Sequence, residues 1–227
     1  MKILYITNNR MPSEKAHSFQ VMKMCEAFSN VGIDVELWIP QRFNSIKESP
    51  FAHYNIRETF RIRKFFVIDL IPFSKYLGWA ANFIESISFA VSILLALPAD
   101  KSGLIYSRDQ FALWFLRFSS YRFVYEIHSF PKHVGLYKGI WRKAHKIIAI
   151  TQGLKDLLIK NGVKADKILI APDAVDLADF ESVSQTADEL KIELRLPRDK
   201  FLAGYIGKFK TLGMEKGIKT MIEALPL

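Results

Sequence analysis

Glu126 and His128 stand two residues apart at the end of an apolar run, FVYEIHS at 123–129, and so lie on the same side of an extended chain. A carboxylate beside an imidazole can orient, accept and donate protons. If the run is a strand of an open α/β sheet, its carboxyl end aims both groups at the crevice where such sheets bind ligands. A histidine at a strand end also serves simply as a packed polar group, and spacing alone leaves both readings open. A second constellation is GYIGKFKTLGMEKG at 204–217, where Gly207 follows an apolar run and Lys208 and Lys216 flank a glycine-containing loop. Backbone N–H groups, ammonium charges and a helix amino terminus together suit a diphosphate, although loop lysines are as often merely solvated. The loop NNRMPSEKAHSFQ at 8–20 offers Asn9 and His17 as polar candidates but contains no glycine. It therefore lacks the close backbone approach that a dinucleotide fingerprint needs, which argues against a dehydrogenase. The segment APDAVDLADF at 171–180 adds Asp173, and reads equally well as a turn leading to a helix cap.

These residues need a scaffold, and the apolar pattern supplies one. Runs rich in Ile, Leu, Val, Phe and Tyr recur at 2–7, 33–39, 103–107, 123–128, 146–151 and 167–172, with amphipathic stretches between them. Most are apolar on both faces, which is how strands read when helices cover both sides of a parallel sheet. The expected fold class is α/β, a Rossmann-like parallel sheet with helices on both faces. Val21, Cys25, Phe28 and Val31 recur at helical spacing, and Gly32 stands where a left-handed cap would end that helix. Residues 40–64 read as a long polar loop leading to a strand at 65–70. The apolar stretch from Tyr76 to Leu97 is long enough to span a bilayer, but Asn82, Glu85 and Ser92 interrupt it as a narrow polar stripe opposite Trp79, Phe83, Ile87 and Leu94. A core helix of a soluble domain is the expectation. Residues 181–200 are rich in charge and read as a helix and a Pro197 turn, after which 201–209 reads as another buried strand followed by a helix.

Lys and Arg number 32 against 23 Asp and Glu, a formal net charge of +9 that attracts polyanions or anionic lipid. No zinc-ligand spacing, basic heptad helix or aromatic-basic ribonucleoprotein signature accompanies the charge, so nucleic acid is not expected as a partner. Cys25 is the only cysteine, which rules out an intrachain disulfide and fits a reduced, cytoplasmic setting. The amino terminus has too short an apolar run to resemble a signal peptide.

In order and spacing these pieces resemble the retaining glycosyltransferases of family 4, which have the two-domain GT-B fold. KILYIT with the following helix and IDVELWIP is similar to the family's opening unit, and FVYEIHS to its strand ending in an active-site histidine. IAITQGLKDLL at 148–158 resembles the strand and helix that bear a Ser or Thr, here Thr151. APDAVDLADF resembles the Pro-Asn-Gly-Val-Asp…Phe segment, and GKFKTLGMEKG the Gly-Arg…Glu-Lys-Gly donor-phosphate loop. The resemblance implies a hexosyltransferase-like enzyme that moves a sugar, with retention, from a nucleotide-diphosphate donor to a polysaccharide, cell-envelope or lipid-linked acceptor. His128 would act at the reaction centre, with Gly207, Lys208 and Lys216 binding the donor. Asn9 and His17 would face the acceptor or phosphate, and Glu126, Thr151 and Asp173 are further cleft candidates. No metal and no cofactor beyond the donor nucleotide-sugar are implied.

Three departures stand out. SEKAHS at 13–18 replaces a Gly-Gly pair, Asp173-Ala174 replaces Asn-Gly, and Lys208 replaces Arg, keeping charge but losing bidentate geometry. The expected domain organisation is an acceptor-side domain over 1–196 and the first strand and helix of a donor-binding domain over 197–227. On that reading the chain alone has little activity, and is a piece of a longer protein, a truncated reading frame or one subunit of a split enzyme whose partner chain supplies the rest. The alternative is a non-catalytic subunit that uses its basic surface and the apolar 71–97 region to sit peripherally on the anionic inner face of a membrane.

Overall fold

The computed structural model describes residues 1–101, 103–177, 184–207, 209–211 and 214–225. The chain forms two compact units, Met1–Asp173 and Ala174–Leu227. The first carries seven strands: β1 (Lys2–Ile6), β2 (Asp34–Gln41), β3 (Arg61–Phe66), β4 (Leu104–Ser107), β5 (Phe123–Ile127), β6 (Lys146–Ala149) and β7 (Ile168–Ile170). They form one sheet in the order β3-β2-β1-β4-β5-β6-β7, and every neighbouring pair is parallel. This is the α/β, Rossmann-like architecture expected from the apolar runs. All five residues of β5 are buried, as a strand covered on both faces requires.

On one face, α1 (Ala16–Asn30) packs Val21, Met22 and Cys25 against Tyr5, Leu37 and Ile39. Helix α2 (Pro50–Tyr54) belongs to the same face, its Phe51 lying against Phe60. Gly32 takes the expected positive φ of 82° after α1. Val31, expected on the buried stripe, is exposed, because the helix ends at Asn30 and the chain turns before Val31 can reach the sheet. On the opposite face lie α4 (Trp79–Ala96), α5 (Gln110–Leu116), α6 (Val134–Lys143) and α7 (Gln152–Lys160). A 3-10 turn at Ile71–Phe73 and the short α3 (Ser74–Leu77) lead into α4.

Two expectations for this unit need correction. The polar stretch 40–64 holds α2, started by Pro50 behind a Ser49 cap, and the following strand spans 61–66 instead of 65–70. Arg63 explains part of that shift: its guanidinium lies over the rings of Trp38 and Phe65, so a basic residue serves an outer strand through its stem and its π contacts. Helix α4 departs in part from the simplest hydropathy reading: Asn82 is exposed and Leu94 packs on the core, but Glu85 is buried and Trp79 and Phe83 are exposed. Its buried residues are Ala81, Glu85, Ser86, Phe89, Ala90 and Ile93, whereas Trp79, Phe83, Ile84, Val91 and Leu95 are exposed. Polar partners inside the unit hold the Glu85 side in, as described below.

The second unit holds α8 (Ala187–Glu193), begun by a capping box in which Thr186 and Glu189 exchange hydrogen bonds, two antiparallel two-residue strands, β8 (Lys210–Thr211) and β9 (Met214–Glu215), and α9 (Ile218–Ala224). The expected strand at 201–209 is absent over its described part: 201–206 have no regular structure and Phe201 and Ile206 are exposed. A buried strand takes its hydrogen bonds from neighbours, and among the described residues of this unit none runs beside it.

The orientation of α4 yields a sharp contrast between two residues two apart. Ile93→Ala, at a fully buried site, should destabilise the protein by about 2–5 kcal/mol, while Leu95→Ala, at a site 84% exposed, should stay within about 0.5 kcal/mol. Urea denaturation of the two variants reads the difference.

Candidate active site

The strand order reverses between β1 and β4, so the chain leaves these two neighbours in opposite directions and opens a crevice above their carboxyl ends. The Ser107 hydroxyl donates to the Ile6 carbonyl at 2.7 Å and pins the two ends together. Arg108 follows directly on β4, His128 directly on the β5 end, and Asp173 on the segment leaving β7.

At the centre is Glu126, 3% exposed. Arg108 Nη2 lies 2.8 Å from its Oε1, His128 Nε2 lies 2.5 Å from the same oxygen, and the Tyr106 hydroxyl donates to its Oε2. Burial by itself would raise the Glu126 pKa, but the His128 hydrogen bond, the Arg108 charge and the Tyr106 hydroxyl outweigh it and hold the carboxyl below its ordinary range. Burial, then the neighbouring Glu126 charge, push the Tyr106 phenol up, so it stays protonated and donates. A carboxylate oxygen at 2.5 Å can only accept, so Nε2 of His128 carries a hydrogen towards Glu126. Nδ1 then turns to the Asp173 carboxylate, 3.9 Å away. Gln20 of α1 donates to Asp173 and accepts from Arg108 at 3.0 Å, closing the ring of polar contacts.

A second group lies on the β1–β2 side, around a cavity of about 500 Å³ lined by Asn8, Asn9, Arg10, Ser13, Lys15, His17, Arg42, Phe43, Asp69, Ile71 and Pro72. Asn9 and His17 both line this cavity. Burial, and then the positive charges of Lys15 and Arg108, lower the His17 pKa and favour its neutral form. The wall behind is set by α4: Asn8 donates to Glu85 at 2.9 Å and to the Ser86 hydroxyl at 3.1 Å, while Arg42 Nε lies 3.9 Å from Glu85 and 3.7 Å from Asp69.

Of the sequence candidates, Glu126, His128 and Asp173 come together in one cluster, and Asn9 and His17 in the adjoining cavity. Thr151 caps α7, its hydroxyl accepting from the Leu154 amide at 3.2 Å, and is exposed at the same carboxyl edge of the sheet. Gly207 and Lys216 belong to the second unit, where Gly207 has a φ of 151° and Lys216 is exposed; Lys208 lies outside the described residues. Sequence reasoning missed Arg108, Tyr106, Gln20 and Arg42. Arg108 and Arg42 each follow the last residue of a strand, and that position was the available signal. Glu126, His128 and Asp173 also bring three ligand atoms within 4.8 Å of one another. A cation there would compete with the Arg108 guanidinium for Glu126, so the donor set suits a hydrogen-bonded cluster better than a metal.

Comparison with known proteins places the chain further. The model of Glycosyltransferase Family 4 matches residues 18–179, more than half of the sequence, and the chain belongs to that family. No curated protein matches it. Among solved structures it is similar to Anabaena HepE in complex with UDP, at 16% identity and a TM-score of 0.55 over 86% of this chain and 50% of that one. It is also similar to the UDP-GlcNAc 2-epimerase of Neisseria meningitidis bound to UDP-GlcNAc, at 12% identity and 0.55 over 86% and 54%. The chain thus spans about half the length of the structures it matches, and at such identities the likeness concerns the fold.

The linkage at Glu126 has a definite sign. Its folded pKa lies below the ordinary Glu value of 4.5, so its stabilisation is complete above pH 4.5 and disappears as pH falls through the folded value. Glu126→Gln should therefore cost about 1–3 kcal/mol at neutral pH, with the gap to the parent protein closing below pH 4.5. Urea titrations across pH 3–8 check it.

Proposed function

We propose that this chain is the acceptor-side part of a nucleotide-sugar glycosyltransferase that transfers a hexose with retention to a polysaccharide, cell-envelope or lipid-linked acceptor. The observation that carries the reading is His128 at the crevice, fixed by a charged, buried Glu126, in a chain of Glycosyltransferase Family 4. Residues 1–196 are assigned to the acceptor side and 197–227 to the first strand and helix of a donor domain, with Gly207, Lys208 and Lys216 contacting the donor diphosphate. In the proposed step the acceptor hydroxyl oxygen forms a bond to the sugar anomeric carbon. The bond from that carbon to the diphosphate oxygen breaks with both electrons, and the hydroxyl proton passes to the departing phosphate. His128 positions the sugar, and the lysines stabilise the leaving charge. No metal or further cofactor takes part in this scheme. The protein would work in the cytoplasm, at the inner face of the membrane, with the rest of the donor domain supplied by the same gene or by a partner chain.

A second reading, a membrane-associating subunit without catalysis of its own, is favoured by one observation: α4 meets the length and hydropathy of a membrane-crossing helix but is only 33% buried. Transfer assays with UDP- and GDP-sugars decide between the readings. Residues 1–227 joined to a second Rossmann-like unit, in one polypeptide or as two chains, should transfer sugar, and His128→Ala should lower kcat by about 100-fold or more. Absence of turnover in both forms would remove the enzymatic reading, and robust transfer by the 227 residues alone would remove the split assignment.

A further inference from the structure

Another cavity, of about 440 Å³, lies at the other end of the strands from the crevice. Its residues come from the end of α6, just before β6 begins, and from the segment between α7 and β7, so it opens beside the amino ends of the last two strands. Lys138, Arg142, Lys164 and Lys167 line it around a buried floor of Trp141 and Val163, and no carboxylate of the described residues joins them. The surrounding sequence has the same bias: residues 131–170 carry nine Lys and Arg against two Asp, and so hold most of the chain's net charge of +9.

Part of this charge belongs to the fold. Helices α6 and α7 both end beside the cavity, and each carboxyl end presents about half a negative charge. Lys143 and Lys160 occupy the last turns, and Lys167 donates to the Arg142 carbonyl at 2.7 Å, which ties the end of α6 to the start of β7. Those three cations are enough for two helix ends. Lys138, Arg142 and Lys164 are in excess of that need: each is exposed, and none makes an ion pair among the described residues. Burial lowers the Lys167 pKa against the pull of Asp166, and Lys164 adds to the fall, as expected of cations gathered without counter-charge. At the floor, the Trp141 indole is 2% exposed and its N–H is buried without a hydrogen-bond acceptor. A buried donor left unpaired is unfavourable, and an acceptor oxygen at the cavity floor would relieve it.

We propose that this cavity binds a compact, multiply charged anion of the phosphate class, a short chain of linked phosphates, held by Lys138, Arg142 and Lys164 with one oxygen on the Trp141 indole N–H. A guanidinium and two ammonium groups around a small concavity suit closely spaced phosphate oxygens. Nucleic acid is disfavoured, because the ring of Trp141 is too buried to stack on a base. The site is separate from the crevice, and its occupancy does not depend on the sugar-transfer reading.

Calorimetric titration of the 227-residue chain with inorganic tripolyphosphate at physiological salt tests the proposal. Tripolyphosphate should bind more tightly than orthophosphate, and at least as tightly as a nucleoside triphosphate, whose base gains no contact here. Lys138→Gln and Lys164→Gln should each weaken binding about fivefold, the effect of one unit charge a few ångströms away in water. Lys64→Gln, on β3 at the far edge of the sheet, and Lys75→Gln should leave it unchanged. All four lysines are exposed, and circular dichroism confirms that the variants fold. In nuclear magnetic resonance spectra the assigned Trp141 indole N–H signal should shift as ligand is added, a change that loose attraction to the surface does not produce. Equal weakening by both pairs of substitutions would mean general adsorption of a basic protein and overturn the proposal. Binding that ignores Lys138→Gln and Lys164→Gln and leaves the Trp141 signal in place would put the anion elsewhere and overturn it as well. Tighter binding of an oligonucleotide than of tripolyphosphate would overturn the assignment to a compact anion.

Discussion

A carboxylate buried at 3% exposure sits beside the point where the strand order reverses, and the site is organised around keeping it charged. Glu126 survives there because two hydrogen-bonding groups and a cation converge on it: Tyr106 on β4, His128 after β5 and the Arg108 guanidinium after β4. Taking a charge out of water costs several kcal/mol unless geometry returns it, and the return here comes from contacts that also fix the imidazole. The position of the His128 ring is thus set by groups within the sheet. Rigidity of this kind is what a parallel sheet supplies and a loop does not: each donor hangs from a strand end whose place is determined by its neighbours' hydrogen bonds.

The same constraint reaches the flanking segments. Asp173 lies on an exposed stretch after β7 and has no regular structure to hold it, yet it faces His128 and takes a hydrogen bond from Gln20 of α1. Gln20 also bonds Arg108, so helix, strand end and loop share one polar ring. The resemblance to a Pro-Asn-Gly segment carried the interest of Asp173 in the sequence, but the carboxylate does something an asparagine side chain would not: it places a second negative group near the imidazole.

How much of this was legible before the structure depended on the range of the interactions involved. The strands declared themselves through local composition, since FVYEI and KILYI are buried on both faces and need no distant residue to be read. The pairing of Glu126 with His128 followed from the two-residue period of a strand. Arg108, Gln20 and Arg42 escaped because each acts across the sheet, and nothing near them in sequence says which strand end they will meet. The 201–206 stretch failed for the complementary reason: its local pattern is that of a strand, but strand formation depends on neighbours that the pattern does not contain.

Helix α4 shows why hydropathy alone misjudged the surface. A stripe of Asn82, Glu85 and Ser92 among apolar residues reads as the face turned to water, and Asn82 is exposed, but water is not the only partner available to the Glu85 carboxylate. Asn8 and Arg42 stand at the ends of β1 and β2 and need acceptors, so the helix turns Glu85 inward and its aromatic face outward. Comparison with Glu126 shows the energetic difference between the two. Glu126 has two close cationic or ring donors and a phenol, and its pKa falls; Glu85 has a neutral amide and a guanidinium 3.9 Å away, burial wins, and its pKa rises. Both carboxylates hold strand-end residues in place, one on each side of β1, but only Glu126 is saturated by its partners. Arg42, which faces both Glu85 and Asp69, lines the cavity on the β1–β2 side.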